Sequence, residues 1–420
     1  GALYRVNQAN GVYIKYFYDE AGRLEQSNSQ DDSVYYYFDP AGNVLDTKFR
    51  KVAGGSPFTY GYFQEFDELS RLIEHHNTTN SVSYEYDLNS NVTSIADGND
   101  KPATFAYDGL NRLISTQDRR GVESGITTNG VTEFAYSELD DLLGVDFTAT
   151  KDSAGNNYDV ALETTYDVNA FGEVESETSL DRGTTTYDYD DNGNLIERID
   201  DTGREVEYGY DEINRLTSIV YPNQTTLNVT LTYDTSTGCG AGHEGRLCQV
   251  SGDFGTINYV YDDVGRVTSV TKTPSGASFS LTTTYEYDAA NYLVGITYPS
   301  GREVTYDYDN NGNVIEVIGD LNSTATTLAD NMVYMAFGPV ESMDYGNGHS
   351  ETSTYDDAYW LLTREVTDGT IVMDDTYTYD NNGNLRTYTD KDSNSNLLSY
   401  TRNDELRKQD TYSYELDGAG

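Results

Sequence analysis

Apolar and polar residues alternate in short runs along most of this 420-residue chain. In EVTYDYD, residues 303–309, Val304, Tyr306 and Tyr308 fall on one side of an extended segment, and the intervening Thr and Asp residues fall on the other. A period of two residues is typical of β-strands. Because no segment combines a 3.6-residue period with helix caps, the pattern predicts β-structure and almost no helix.

A turn follows each alternating run. Its clearest forms are Asn192-Gly193, Asn311-Gly312 and Asn382-Gly383, and a second short apolar run such as LIERI or VIEVI comes next. Asn and Gly accept the positive φ angles that tight hairpin turns require, so we expect the Asn-Gly pair to carry them. Each unit therefore predicts a β-hairpin.

The hairpin unit recurs as Tyr-Asp-x-x-Gly/Asn-Arg/Asn-Leu/Val. Good copies begin at Tyr18, Phe38, Phe66, Tyr86, Tyr107, Tyr189, Tyr210, Tyr261, Tyr287, Tyr308, Tyr355 and Tyr379, and weaker copies at Tyr136, Tyr166, Tyr233, Phe337 and Tyr414. The turn residues that define the repeat are Tyr18, Asp19, Gly22, Tyr189, Asp190, Gly193, Tyr210, Asp211, Tyr261, Asp262, Gly265, Tyr308, Asp309, Gly312, Tyr379, Asp380 and Gly383. A fixed motif repeated along the chain predicts a repeat architecture.

A single hairpin is marginally stable in water, so the repeats are expected to stack side by side in one sheet. About 17 hairpins would give roughly 34 strands and a ribbon on the order of 160 Å long, which must curl because strands twist. We interpret residues 1–420 as one continuous array. Since the chain ends YELDGAG, part-way through a repeat, we expect it to be a fragment of a longer polypeptide.

Charge and composition narrow the possible partners. The net charge is −45, which repels nucleic acid phosphates and anionic membrane surfaces. The simplest interpretation is a solvated, self-repelling surface, and diffuse cation binding is the alternative. The sequence contains no run of about 18 apolar residues, so no membrane insertion is predicted, and no signal peptide is visible at the start. The 39 Tyr residues are expected to form ladders of cross-strand contacts.

These motifs closely resemble the YD-repeat, or Rhs-repeat, family over essentially the whole chain. TYPSGREVTYDYDNNGNV from Thr297 and DYGNGHSETSTYDDAYWLLTREV from Asp344 resemble entire repeats of that family. The family includes Rhs toxins, cocoon components of toxin complexes, wall-associated proteins and teneurins. The resemblance implies a spiralling β-sheet that closes into a hollow shell, around a C-terminal effector in the toxins. The family's core ending and an effector are not recognisable in this sequence.

Cys239 and Cys248 flank a short Gly-rich loop in GCGAGHEGRLCQV. The two ends of a hairpin can approach within disulfide range, and the family contains similar loops, so a disulfide is the expected state. Two buried free thiols are the alternative. His243 lies between the cysteines, but two Cys and one His at this spacing do not match a zinc pattern.

The turns also resemble the start of a calcium loop, with Asp188, Asp190 and Asn192 at positions 1, 3 and 5. Position 12 should be an acidic ligand, yet it is Ile199 here and Ile318 in the near-copy. We therefore expect the Asp of each Tyr-Asp pair to accept backbone N–H groups, as in Asx-turns. A weaker cation site among the turn carboxylates remains an alternative.

No catalytic constellation stands out, and no cofactor is predicted. His75 and His76 precede NTTNS and are interpreted as part of an exposed loop. Gly-x-Ser-x-Gly and phosphate-binding Gly-Lys-Ser/Thr motifs are absent from the sequence, and no two carboxylates are singled out for glycoside hydrolysis. Tyr359 and Trp360 could seed a sugar-stacking platform, although packing within the sheet is the simpler role.

The sequence therefore predicts an all-β, non-catalytic scaffold or shell segment of a secreted or cell-surface protein. Its partners would be the rest of its own polypeptide or a C-terminal cargo such as a toxin. A second hypothesis is an extracellular adhesion or filament-forming module, which associates with itself or with a cell-surface partner through its sheet surface and ends. A third is a carbohydrate-active enzyme.

Overall fold

The computed structural model confirms the all-β prediction. It describes residues 4–7, 13–29, 32–51, 60–77, 80–98, 102–117, 131–153, 156–235, 238–321, 324–336, 338–356, 358–400, 406–409 and 412–413. The described part contains 36 strands and one 3-10 turn, Thr225–Leu227. None of its helical residues forms a helix long and apolar enough to cross a membrane. The weak repeat copies at Phe337 and Tyr414 lie outside the described residues.

The strands follow one another in chain order. They are β1 (Arg5–Asn7), β2 (Tyr13–Tyr18), β3 (Leu24–Asn28), β4 (Asp32–Phe38), β5 (Val44–Lys51), β6 (Tyr60–Phe66), β7 (Leu72–His76), β8 (Ser81–Tyr86), β9 (Val92–Ala96), β10 (Pro102–Tyr107), β11 (Leu113–Gln117), β12 (Val131–Tyr136), β13 (Leu142–Ser153), β14 (Asn156–Val168), β15 (Val174–Ser179), β16 (Gly183–Tyr189), β17 (Leu195–Ile199) and β18 (Glu205–Tyr210). They continue as β19 (Leu216–Val220), β20 (Val229–Tyr233), β21 (Leu247–Gly252), β22 (Gly255–Tyr261), β23 (Val267–Pro274), β24 (Leu281–Tyr287), β25 (Leu293–Thr297), β26 (Glu303–Tyr308), β27 (Val314–Leu321), β28 (Thr324–Tyr334), β29 (Val340–Tyr345), β30 (Ser350–Tyr355), β31 (Leu361–Thr367), β32 (Ile371–Tyr379), β33 (Leu385–Thr389), β34 (Ser395–Tyr400), β35 (Leu406–Gln409) and β36 (Tyr412–Ser413).

Each strand pairs antiparallel with the next strand along the chain, so the sheet is a continuous meander. The connections therefore fall on two opposite edges. Those from an even-numbered strand to the next strand contain the Tyr-Asp turns, and we call this edge the turn rim. Those from an odd-numbered strand to the next form the loop rim.

The sheet is a single layer without a conventional core. Only six apolar residues of the described part are buried, and they are Val34, Val206, Cys239, Cys248, Val304 and Ala336. The accessible surface is 24376 Å², whereas a compact protein of this mass would expose roughly 16,000 Å². The excess follows from a sheet whose two faces are not covered by a second layer of structure.

The two faces of the sheet differ in burial. In β16 the burial alternates, with Tyr187 and Tyr189 half-buried and Thr184, Thr186 and Asp188 exposed. The same alternation runs along β10. The face that carries the tyrosines is thus the more covered one, and the face of Thr, Asp and Glu is solvated. Since no second layer packs on the tyrosine face in the described part, its side chains are covered by neighbouring side chains of the same sheet.

The ribbon curls until its two rims meet. On the turn rim, the side-chain amide of Asn311 donates to the Asp32 carboxylate at 3.0 Å, and that of Asn382 donates to Asp97 at 2.6 Å. The Asn381 amide donates to the Gly98 carbonyl on the loop rim at 2.9 Å. Asp32 and Asp97 are each only 5% exposed. We call these contacts the lap joint, since they join segments 279 to 285 residues apart.

The lap joint sets the approximate size of one turn of the spiral. Asp32 begins β4, and Asn311 lies between β26 and β27, so a lap contains about 22 strands. At roughly 4.8 Å per strand, a lap measures about 105 Å around and about 34 Å across. Since a sheet layer is roughly 10 Å thick, a space of about 24 Å remains inside the wall.

One prediction about local structure is wrong. His75 and His76 do not lie in an exposed loop, because both belong to β7 and are half-buried. The His76 ring stacks on Phe63 of the neighbouring strand with 5.3 Å between ring centroids, and His75 lies beside Tyr62. The polar NTTNS segment begins one residue after the strand ends, and the aromatic partners are contributed by β6.

We expect Gly98→Ala to loosen the lap joint. A Cβ atom at Gly98 would overlap the Asn381 carbonyl oxygen and the Asn80 side chain, whereas a Cβ at Gly109 would meet nothing within 4 Å. Hydrogen exchange of amides in 97–98 and 380–384 should therefore accelerate in Gly98→Ala and stay unchanged in the control Gly109→Ala. Equal protection in both variants would show that the rims are not in contact.

Candidate functional site: the repeat turns and their neighbours

The Asp of each Tyr-Asp pair organises its turn. Asp190 accepts the backbone N–H groups of Asn192 and Asn194 on Oδ1, both at 2.9 Å, and the Asn194 side-chain amide on Oδ2 at 2.9 Å. The Gly193 N–H donates to the Asp190 carbonyl at 2.9 Å, which closes a four-residue turn. The same two backbone contacts to the carboxylate recur at Asp19, Asp211, Asp262, Asp309 and Asp380, with distances of 2.8 to 3.1 Å.

The positive φ lies on one residue of the turn rather than on the Asn-Gly pair. Gly193 has φ 80°, and Asn192 is not in this region. The next strand begins with a bulge, since the pairing shifts register between Asp188 and Tyr189. This geometry is that of a four-residue turn whose last residue is left-handed, rather than of a two-residue hairpin turn. Where the repeat lacks Gly, other residues take its place with φ of 60° to 77°, and these are Ser70, Ser90, Asn111, Asp140, Asn214, Asn291 and Tyr359.

Hydrogen bonds in the turn lower the pKa of several of its carboxyls. The largest cause of the lowered pKa of Asp190 is the hydrogen bond from the Asn194 side-chain amide. For Asp211 it is the hydrogen bond from the backbone N–H of Arg215, and burial, the second-largest effect, acts in the opposite direction and raises the pKa. The pKa of Asp19, Asp67 and Asp108 is lowered in the same way as that of Asp211. These groups are therefore ionised at neutral pH and act as acceptors, not as proton donors.

The Tyr of each repeat joins it to the repeat before. The Tyr308 hydroxyl donates to the Leu293 carbonyl at 2.6 Å, and Leu293 ends the preceding motif. Equivalent bonds to the preceding Leu or Val carbonyl are made by Tyr86, Tyr136, Tyr189, Tyr210, Tyr261, Tyr287, Tyr334, Tyr355 and Tyr379, at 2.6 to 3.1 Å. The ring supplies apolar area while the hydroxyl satisfies a backbone acceptor, which explains why Tyr is so frequent.

The residue after the turn Gly reaches forward to the next repeat. Arg266 donates through Nε to its own turn Asp262 at 2.7 Å and through Nη1 to the Asp288 carbonyl at 3.1 Å. Its guanidinium lies 4.8 Å from the centroid of the Tyr287 ring. Arg23, Arg71, Arg112 and Arg215 lie in the same way over the next aromatic ring. No role was predicted for this position from the sequence, although Arg or Asn occupies it in most repeats, and that preference is the signal that could have revealed one.

Aromatic residues replace Arg at two of these positions. Tyr292 stacks on Tyr308 at 4.9 Å between centroids, and Trp360 lies 5.5 Å from Tyr379. The Tyr359 hydroxyl donates to the Ala336 carbonyl. Tyr359 and Trp360 thus pack against neighbouring repeats and do not form an open sugar platform. These two ring contacts run between different repeat positions.

A disulfide crosslinks the two ends of the Gly-rich loop, and a backbone hydrogen bond joins the loop to the next repeat. Cys239 and Cys248 form a disulfide with 5.4 Å between their Cα atoms, and both are buried. The Tyr261 N–H donates to the Cys239 carbonyl at 2.9 Å, so the loop lies against the following turn. His243 Nδ1 lies 2.6 Å from the Gly240 carbonyl. Among the described residues, no group of three or more His, Cys, Asp or Glu is arranged to hold a metal.

A charged cluster lies on the tyrosine face of β29–β33. Arg364 donates to Glu351 at 2.7 Å, and the Tyr345 hydroxyl donates to the same carboxylate at 2.5 Å. Burial would raise the pKa of Glu351, but these two donors outweigh it and hold the pKa below its usual value. Burial and the neighbouring Asp375 raise the pKa of Tyr377 to about 12. The carboxylate stays ionised and the phenol stays neutral at pH 7, so neither is suited to proton transfer.

One shallow cleft of about 240 Å³ lies between two repeats on the tyrosine face. Its lining residues are Asp288, Tyr292, Val294, Tyr306, Asp307, Tyr308, Asp309 and Asn310. Ligand sites usually measure roughly 300 to 1,000 Å³ and are mostly apolar. The cleft is smaller and more polar than that, and it is a gap between adjacent turns.

Sequence comparison identifies the repeat. A family model described as RHS repeat matches residues 189–226, 261–303 and 291–324. These segments of the chain are RHS repeats. Its turns at Asp190, Asp211, Asp262 and Asp309 lie inside the matched segments.

Two curated relatives are much longer than this chain. The chain is 33% identical over 129 residues to the double-stranded DNA deaminase toxin A of Burkholderia cenocepacia, which covers 30% of this chain and 8% of that protein. It is 25% identical over 306 residues to the tRNA3(Ser)-specific nuclease WapA of Bacillus spizizenii, which covers 66% of this chain and 12% of that one. The RHS-repeat chain thus spans about a tenth of the length of these relatives.

Solved toxin-complex structures have the same fold. A chain of the TcdB2–TccC3–TEV crystal structure matches 95% of this RHS-repeat chain with a TM-score of 0.62 and 14% identity, over 23% of its own length. A chain of the Photorhabdus luminescens Tc holotoxin pore matches 95% with a TM-score of 0.63 and 13% identity, over 24% of its length. At such low identity the likeness establishes the fold alone.

We expect Tyr308→Phe to weaken the junction between neighbouring RHS repeats. The change removes one hydrogen bond to the Leu293 carbonyl and keeps the ring, so the local stability should fall by about 1 kcal/mol. Hydrogen exchange of amides in β25 and β26 measures the effect. Tyr298→Phe, which alters a more exposed ring on the loop rim, is the control. Equal exchange in both variants would contradict the role of the hydroxyl.

The turn carboxyls should make the sheet sensitive to acid. Their pKa in the folded state lies below the unfolded value of about 3.9, so their contribution is complete above pH 4 and is lost as the pH falls through the folded pKa. Exchange protection near Asp211 should fall over that range. In Asp211→Asn this pH dependence should flatten, because Asn169 shows that an amide can cap the same turn. A pH-independent wild type would refute the prediction.

Proposed function

We propose that this chain is a non-catalytic wall segment of a hollow RHS-repeat shell in a secreted or surface-exposed protein. The rest of the same polypeptide supplies further wall and a cargo, for which a toxin domain is the favoured class. The face of Thr, Asp and Glu is turned outward, and the tyrosine face lines the interior.

The lap joint is the observation that carries this proposal. A ribbon one layer thick encloses a volume only if its edges meet, and here Asn311 and Asn382 join the turn rim to Asp32 and Asp97 on the loop rim. Few apolar residues are buried, so nothing in the described part fills the interior. The solvated outer face and the net charge of −45 favour a particle that remains dispersed.

The relatives support a cargo of the toxin class. Those named above are called a deaminase toxin and a nuclease, and the chain matches about a tenth of each. In the described part of this chain, the buried carboxylate Glu351 is committed to Arg364 and Tyr345. We therefore assign catalysis to other parts of the polypeptide and enclosure to this one.

Electron microscopy of the purified chain tests the shell. We expect ring-shaped end views with an empty centre and a wall one sheet thick. An unrolled ribbon of 36 strands would instead be about 170 Å long, and open ribbons or a filled globule would overturn the proposal. In Gly98→Ala a larger fraction of particles should be open, whereas Gly109→Ala should resemble the wild type.

Activity assays test the non-catalytic assignment. The purified chain should hydrolyse neither nucleic acids nor a panel of glycans. Turnover that is lost in Glu351→Gln, in a variant that keeps the ring-shaped particle, would show that the segment is an enzyme.

A further inference from the structure

Two of the turns that form the lap joint contain an Asn-Gly step. Asn311-Gly312 contacts Asp32, and Asn382-Gly383 contacts Asp97, in each case through the side-chain amide of the Asn. Asn192-Gly193 is a third copy of the same turn, and there the Asn is exposed. The three turns share their capping contacts and differ in whether the Asn is a donor of the lap joint.

An Asn-Gly step is chemically labile. The backbone nitrogen of the Gly loses its proton to solvent and attacks the side-chain carbonyl carbon of the Asn. The new C–N bond closes a succinimide ring, and the side-chain nitrogen leaves as ammonia. Water then opens the ring to Asp or isoaspartate, so the net change is Asn plus water to Asp plus ammonia. Gly favours the reaction because it has no side chain to hinder the attack, and Asn is accordingly a thermolabile residue.

The turn requires the Gly but not the Asn. Gly312 and Gly383 have φ of 85° and 84°, a region that residues with a side chain rarely adopt. The residue before the Gly varies among the repeats, and Phe171 and Val264 are examples. In the lap-joint turns this residue must supply an amide donor. The same side chain therefore provides both the contact between the rims and the labile step.

Deamidation would replace the donor of each contact by a second carboxylate. The Asn382 amide nitrogen lies 2.6 Å from the Asp97 carboxylate, and that of Asn311 lies 3.0 Å from Asp32. Both Asp residues are buried. Two ionised carboxylates at such a distance have no proton to share, and like charges that are removed from water repel strongly. The product of the reaction is therefore incompatible with the closed joint.

The closed joint in turn slows the reaction. Deamidation removes the side-chain nitrogen, so it must break the hydrogen bond from this nitrogen to the buried Asp. When the rims separate locally, that hydrogen bond is already lost. The reaction is therefore expected to proceed mainly from the open state.

We propose that Asn311 and Asn382 are deamidation sites that make opening of the lap joint irreversible. An open rim loses ammonia from these side chains, and the carboxylates that form prevent the rims from closing again. The inference goes beyond enclosure, because it assigns a covalent modification to the joint and a limited lifetime to its closed state. It does not depend on what the enclosed space contains.

Peptide mass spectrometry of the purified chain tests the protection. During incubation in mildly alkaline buffer, Asn192 should be deamidated roughly 10-fold faster than Asn382 or more, because local opening limits the reaction at Asn382. In Gly98→Ala, where a Cβ overlaps the Asn381 carbonyl oxygen, the rate at Asn382 should approach that at Asn192, whereas Gly109→Ala should match the wild type. Equal rates at both residues in the wild type would overturn the proposal, and so would a rate at Asn382 that Gly98→Ala leaves unchanged.

Substitution by Asp tests the consequence. In Asn311→Asp combined with Asn382→Asp, hydrogen exchange of amides in 97–98 should be ~10-fold faster than in the wild type at pH 7, because each contact then joins two carboxylates. The turns themselves should form, since Asp392 occupies the same position in the turn that Asp390 caps. Unchanged protection in the double variant would refute the proposal.

A control variant and the pH separate charge repulsion from damage to the turn. Asn192→Asp makes the same change in a turn outside the lap joint, and its exchange in 97–98 should match that of the wild type. Near pH 5 two adjacent carboxyls can share one proton, so the double variant should regain the protection of this control. Exchange that stays faster than in the control at both pH values would indicate a damaged turn and would also overturn the proposal.

Discussion

A one-layer sheet has no second layer against which to bury its side chains, so its cohesion must run along the sheet. The repeat motif satisfies this constraint. Asp caps its own turn, Tyr donates to the preceding repeat, and Arg reaches the next one, as Asp262, Tyr287 and Arg266 show together. Each repeat is therefore held by its two neighbours, and the free energy of folding is distributed as in a one-dimensional array. Few apolar side chains of the described part are fully buried, so the apolar contribution comes mainly from half-buried rings and aliphatic side chains along the sheet.

This arrangement explains the composition. In a packed core, Leu or Ile would supply more apolar area without a polar group to satisfy. At the junction between repeats, a side chain must both cover a neighbour and reach a backbone carbonyl, and Tyr does both. The acidic residues likewise divide into two groups. The turn carboxylates accept hydrogen bonds from N–H groups, whereas those on the exposed face, such as Asp188, are solvated. Both groups count toward the net charge of −45.

The sequence predicted the local features well because they depend on neighbours in the chain. Strand alternation, hairpins and the capping Asp all involve residues within a few positions of one another. The expected positive φ at Asn192 was wrong, since Asn-Gly occurs in two kinds of turn and the bulge at the start of β17 decides between them. The lap joint could not be predicted from the sequence. Asp32 and Asn311 are 279 residues apart, and only the accumulated twist of the strands between them brings the two together.

The chemistry of the lap joint suits its role. It forms within one molecule, where the intervening wall holds the rims near each other. Its Asn–Asp hydrogen bonds end on buried carboxylates, and their strict geometry fixes the register of the spiral. Apolar contacts tolerate small shifts in position, so a uniformly apolar rim would leave the spiral free to slip.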